Sequence, residues 1–198
     1  MGSIDYSYAI PRMYQDHCVN DYRGVGDQVI RTVENYIERL GEMQKKGHGL
    51  YFYGPNGVGK TGLMCEVMKG ACDKGYEVVF ETLAGLVDKV IEGWNSRYAQ
   101  EDLARARSVP FLGIDDIGKE YKGKSDWVVT VFDRILRNRV MWCRPTLLTS
   151  NIDPGQMIKR YGDSIGSLLQ GHFLPLKLAG SDFRKVLQSK LQDDILGG

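Results

Sequence analysis

Apolar residues recur along the chain in two periods, helical and extended, and the switches between them lay out the elements. From Val25 to Leu40 they fall at Val25, Val29, Val33, Tyr36, Ile37 and Leu40, one face of a helix. Gly41–Gly49 reads as a polar linker into a short apolar strand at Tyr51–Tyr53. A helix with Leu63, Met64, Val67, Met68 and Ala71 follows, then a turn at Asp73–Lys74–Gly75 and a strand at Tyr76–Phe80. Thr82 is placed to cap a helix whose apolar face is Leu83, Leu86, Val87, Val90, Ile91 and Trp94. A polar stretch with Arg97, Arg105 and Arg107 runs to Ser108. Val109–Ile114 is a near-continuous apolar run of strand length that ends in Asp115–Asp116. Ser125 opens a helix that turns Trp127, Val128, Val131, Phe132, Ile135, Leu136 and Val140 inward. Arg134, Arg137 and Arg139 are expected on its opposite face, as a solvated or contact surface. Pro145 breaks the chain before a buried strand at Thr146–Ser150, and Asp153–Pro154 starts a helix running to about Gln170. Leu174–Leu178 is a fifth strand, and Ser181 caps a last helix containing Arg184. Residues 1–23 show no period and read as an extended arm. Strands alternating with helices predict an α/β fold with a parallel five-stranded sheet, its ligand at the carboxyl edge. Residues 24–198 then form a single domain.

One junction carries chemistry. Gly54–Pro55–Asn56–Gly57–Val58–Gly59–Lys60–Thr61 joins an apolar strand to a helix with the spacing G-x-x-x-x-G-K-T of a P-loop. Gly54, Gly57 and Gly59 let the backbone curl with its N–H groups turned inward, where side chains would obstruct. The Lys60 ammonium can reach β- and γ-phosphate oxygens, the Thr61 hydroxyl can ligate Mg²⁺, and the helix adds its positive dipole end. The pattern predicts a nucleoside triphosphate with Mg²⁺. Asp115–Asp116, at the end of an apolar strand downstream, suits a Walker B pair. The first carboxylate would hold Mg²⁺ through water, and the second would orient or deprotonate the attacking water. Asn151 ends another strand at the same edge.

Composition narrows the setting. The 198 residues carry a net charge of +1, so nucleic-acid contact would need a local basic cluster rather than an overall field. No stretch approaches the ~20 apolar residues of a membrane helix. Cys18, Cys65, Cys72 and Cys143 form no C-x-x-C pair and the histidines lie far apart, which disfavours zinc and suggests the reducing cytoplasm.

Together, the Walker A stretch at 54–61, Ile114–Asp115–Asp116 and Leu148–Thr149–Ser150–Asn151 resemble the AAA+ core. More narrowly, the chain resembles the bacterial replicative helicase loaders (the DnaC/DnaI group) and the related IstB transposition ATPases. That likeness rests on Ile10–Pro11 and Tyr22, on Asp115–Asp116–Ile117–Gly118 with Trp127, and on Gly180–Ser181–Asp182–Phe183–Arg184, which is similar to that group's sensor 2 segment. It covers roughly residues 10–190. The resemblance implies an AAA+ sheet with a minimal C-terminal lid, binding ATP and Mg²⁺. Lys60 and Thr61 would hold phosphate and metal, Asp115 the metal, and Asp116 the catalytic position. Asn151 would be sensor 1 and Arg184 sensor 2, and Lys89 and Arg97 would lie along a single-stranded DNA path. The expected partners are a replicative DNA helicase, single-stranded DNA and further copies of the chain, in the cytoplasm. Two departures stand out. Ile165–Gly166–Ser167–Leu168–Leu169 has leucine where the family usually carries an arginine that acts on a neighbour's γ-phosphate; such a finger is worth ~10³–10⁵ in rate. Hydrolysis by the chain alone should then be slow, unless Arg160 substitutes. Loaders of this group also carry an N-terminal helicase-binding domain, where this sequence offers only an arm. An IstB-like transposition helper and a regulatory module that binds ATP without hydrolysing it are the alternative readings.

Overall fold

The computed structural model describes residues 6, 8–93, 96–119, 125–180 and 182–183. Ser181, Arg184 and the expected C-terminal lid lie outside the described residues. Helices α1 (Asp27–Glu38) and α2 (Leu40–Lys46) precede β1 (Gly49–Tyr53), and α3 (Lys60–Asp73) follows it. Then come β2 (Val78–Thr82), α4 (Leu83–Glu92), α5 (Arg97–Ser108), β3 (Phe111–Ile117) and α6 (Ser125–Met141). The described chain closes with β4 (Thr146–Ser150), α7 (Pro154–Tyr161), α8 (Asp163–His172) and β5 (Phe173–Lys177).

The five strands form one parallel sheet in the order β2-β3-β4-β1-β5. Side chains alternate across it, so each strand feeds two cores. Leu50 and Phe52 of β1 join Phe111, Leu147 and Leu176 in one cluster, under α1 and α3. Tyr51, Leu112, Ile114 and Leu148 join the other, under α4–α8. After β1 the chain crosses to the far edge and steps back through β3 to β4, then passes β1 to reach β5. The loop after β1 therefore opens beside the point where strand order reverses, the place where open α/β sheets take ligands.

Several elements differ from the sequence reading. The stretch before the P-loop strand is not a linker: α1 ends at Glu38 and α2 occupies Leu40–Lys46, closed by Gly47 in the left-handed conformation. The polar stretch to Ser108 contains α5, anchored by Ala99, Leu103 and Ala106. Gly162, at φ +90°, splits the helix expected to reach Gln170 into α7 and α8. The arm is not extended. It makes 3-10 turns at Arg12–Tyr14 and Val19–Val25 and buries Ile10 and Tyr22 against the α3 side of the core.

The largest correction is Arg139, expected on a solvated face and fully buried. Its guanidinium donates to the carbonyls of Ala106, Val109 and Pro145 at 2.9, 3.0 and 2.6 Å and to the Thr146 hydroxyl at 2.9 Å. It thus fastens the chain entering β3 to the chain entering β4. Burial, with Arg144 nearby, lowers its pKa to about 9, so it remains a cation at neutral pH. Arg137 does face outward, pairing with Asp133 at 3.0 Å and donating to Ser164 at 2.5 Å.

Candidate functional site

The P-loop needs backbone that side chains would forbid. Gly57 and Gly59 have φ of +78° and +91°, the left-handed region that favours glycine. A Cβ on Gly57 would strike the Asp182 carboxylate, and one on Gly59 would strike the Tyr22 ring. Lys60 opens α3 nearly buried, and its ammonium donates to the Gly54 and Pro55 carbonyls at 3.0 and 2.6 Å. This strand-to-helix curl, with a helix N-terminus and a lysine beside it, is arranged to take an anion.

β3 brings the carboxylates to the same place. Asp115 is 7% exposed, and its Oδ1 accepts the Thr61 hydroxyl at 2.9 Å and the Thr149 hydroxyl. Burial pushes the Asp115 carboxyl above its ordinary range, against the pull of those two hydroxyls. The register between β3 and β4 slips between Ile114 and Ile117, which turns both aspartates at the strand end. Asp116 adopts φ +56°, its N–H donates to Thr149 Oγ1 at 3.0 Å, and its Oδ1 accepts Lys119 Nζ at 2.7 Å. Thr149 thus holds both carboxylate residues, a part the sequence did not reveal because its motif resembles sensor 1 only through Asn151. Asn151 follows β4, and its Oδ1 is buried with no hydrogen-bond donor among the described residues.

A cleft of about 230 Å³ runs along the P-loop. Asn56, Gly57, Gly59, Lys60, Thr61 and Gly62 form one side, with Asp116 and Lys119 at the carboxylate end. Met13, Tyr14, His17, Tyr22 and Phe183 form the other. Tyr22 lies against Gly59 and Gly62, stacks with His17 at 5.9 Å and meets Phe183 edge-on at 5.8 Å. Lys69 of α3 holds this wall in place. Nearly buried, it pairs with Glu66 at 2.7 Å and donates to the carbonyls of Tyr14, Gln15 and His17. Tyr22 and Phe183 of this wall figured in the sequence reading, but Met13, Tyr14 and His17 did not; an aperiodic arm gives no signal of what it covers.

The remaining residues singled out in the sequence lie elsewhere. Lys89 is bracketed by Glu81 at 2.7 Å and Asp102 at 3.0 Å, and Arg97 pairs with Glu101 at 2.9 Å on an exposed surface. Leu168 packs half-buried on the α6–α8 core, and Arg160 lies over the Tyr161 ring at 5.7 Å. No described helix is long and apolar enough to cross a membrane.

This geometry agrees with comparisons to known proteins. The family model of the IstB-like ATP binding protein matches residues 25–167. The replicative helicase loader DnaI of Bacillus subtilis is 30% identical over 130 residues, 65% of this chain and 41% of that protein. A protein of Pseudomonas fluorescens, ascribed an ATP-binding role in insertion sequence IS1162, is 25% identical over 147 residues, 70% of this chain and 59% of its own length. The chain therefore spans only part of both relatives. A crystal structure of the DnaC helicase loader superposes with a TM-score of 0.75 at 21% identity, covering 85% of this chain and 100% of that one. A crystal structure of DnaI gives 0.70 at 26% identity, covering 87% and 93%. The fold is that of the AAA+ P-loop ATPases, and the chain belongs to the IstB-like ATP-binding protein family, homologous to the DnaI and DnaC helicase loaders.

Proposed function

We propose that the chain is an ATP-dependent switch of the helicase-loader type, engaging a replicative DNA helicase and single-stranded DNA in the cytoplasm. The observation that carries this reading is the meeting of Thr61 and Asp115 at 2.9 Å beside the P-loop. Two hard oxygen donors already in contact, one a desolvated carboxylate, suit Mg²⁺. A strand-end cradle whose glycines leave no room for Cβ suits the phosphates. Bound Mg²⁺ would neutralise phosphate charge, held by the Thr61 hydroxyl and, through water, by Asp115. Gly54–Gly59 would wrap the phosphates and Lys60 would exchange its two carbonyl partners for phosphate oxygens. The aromatic wall of the arm would flank the base. Asp116 would accept a proton from the attacking water. Asn151, with a buried oxygen that has no donor among the described residues, would hold that water or the terminal phosphate through its amide, and Arg184 would act as sensor 2.

Single-stranded DNA is expected along α4 and α5, where Lys89 and Arg97 would leave their carboxylate partners for phosphates. The exposed Arg97–Glu101 pair is weak enough to exchange, whereas Lys89, half-buried between Glu81 and Asp102, would give up two carboxylates to do so. A second reading, a module that binds ATP without turning it over alone, is favoured by Leu168, which packs into the core and offers no charge. Turnover measured alone and with single-stranded DNA, duplex DNA or replicative helicase separates these readings. Stimulation by single-stranded DNA and by helicase supports the loader. Turnover no higher than that of Lys60→Ala under every condition supports the non-hydrolysing module. Stimulation by duplex DNA alone points to a transposition helper.

A further inference from the structure

We propose that Lys119 is a cation supplied in cis to the terminal phosphate of the bound nucleotide. The inference rests on the nucleotide reading above and assigns a residue that no Walker or sensor motif includes. At the end of β3 the backbone turns sharply: Asp116 has φ +56°, Gly118 has φ +98°, and the Lys119 N–H donates to the Asp116 carbonyl at 3.2 Å. That turn folds the lysine back over the strand end, so its side chain lines the same cleft as Gly57, Lys60 and Thr61. Its Nζ lies 2.7 Å from Asp116 Oδ1, in a pair that is 42% and 43% exposed.

A pair so exposed is held loosely. A terminal phosphate offers more negative charge and more acceptor oxygens than one carboxylate, and charge-assisted bonds to it are stronger. Entry of a triphosphate at the P-loop therefore draws Lys119 from Asp116 to phosphate. The exchange has two effects at once. It places a positive charge where negative charge must be stabilised, the task that Leu168 cannot perform. It also releases the Asp116 carboxylate, which can then accept a proton from water. Lys60, donating to Gly54 and Pro55 carbonyls, stands in the same provisional arrangement at the other end of the cleft.

The test compares Lys119→Met and Lys119→Arg with the wild type for ATP and ADP affinity in Mg²⁺, by titration calorimetry, alongside turnover. The exposed lysine can be replaced without opening a cavity, and an unchanged melting temperature checks this. Loss of one charged contact should weaken ATP binding about tenfold for Lys119→Met, leave ADP binding unchanged and lower turnover, with Lys119→Arg recovering the ATP affinity. Equal effects on ATP and ADP, or none on either, would make Lys119 a surface partner of Asp116 and overturn the proposal. So would faster turnover in Lys119→Met, which would make the lysine a block on the carboxylate. If the wild type bound neither nucleotide, the nucleotide reading itself would have failed, and this proposal with it.

Discussion

Replacing Arg139 by methionine is expected to cost about 3 kcal/mol or more in unfolding free energy. Methionine fills comparable space but donates nothing, so the carbonyls of Ala106 and Val109 and the Thr146 hydroxyl lose the guanidinium donor, and the Pro145 carbonyl keeps only the Leu112 N–H at 3.3 Å. A buried acceptor left without a partner costs about 1–3 kcal/mol. Relief from burying a cation whose partners are carbonyls rather than a carboxylate offsets part of the sum. Against the ~5–15 kcal/mol of an ordinary domain the net loss is large. At this chain length it should lower the melting temperature by about 6–12 °C. Lysine should recover little, because one ammonium cannot span acceptors that a planar fork of five N–H groups reaches together. An unchanged urea midpoint for Arg139→Met would contradict the account of these bonds as the joint between β3 and β4.

Asp115→Asn should move stability and activity in opposite directions. Folding buries the Asp115 carboxyl and raises its pKa above the ordinary 3.8, so the charged form is disfavoured in the native state. Stability contributed by this group is full at low pH and falls as pH rises through the raised value. Asparagine keeps an oxygen to accept the Thr61 and Thr149 hydroxyls and carries no charge. The nucleotide-free variant should therefore be more stable at neutral pH by about 1 kcal/mol, with a flatter pH dependence above pH 3.8. The same change removes the carboxylate proposed to hold Mg²⁺, and Mg²⁺-dependent turnover should drop by ~10² or more. Thermal melts across pH, with and without Mg²⁺–ATP, check both halves. A variant less stable than wild type at neutral pH would mean that the carboxylate charge is favourable in the native state, against the burial argument.

What could be read in advance divides along physical lines. The P-loop was legible because the chemistry confines it to eight consecutive residues, Gly54–Thr61, and all five strands stood out as runs or alternations of apolar side chains. α5 was hidden because its buried set, Ala99, Leu103 and Ala106, contains only one large apolar residue among charges. The break at Gly162 was hidden because a single glycine within a helical pattern does not announce a positive φ. Arg139 shows a different failure. Phe132, Ile135 and Leu136 point inward, and position 139 follows at helical spacing on the same face, so the pattern itself placed it inside. Residue type and spacing pointed opposite ways there, because a cationic side chain is ordinarily solvated. The inner parts of the site, namely Thr149, Lys69 and the arm wall of Met13, Tyr14 and His17, depend on contacts between distant segments, such as Lys69 with residues 14–17. No local window of sequence contains them.

The central claim is that the curl at Gly54–Thr61 binds the phosphates of ATP. The most direct test is equilibrium binding of ATP with Mg²⁺ to the wild type and to Lys60→Ala, both shown to be folded by their melting curves. The account predicts saturable binding at one site in the wild type, with at least about a hundredfold loss in Lys60→Ala, as expected when a charged donor is removed from a desolvated anion site. Equal affinity in the two proteins would place the nucleotide elsewhere and contradict the account.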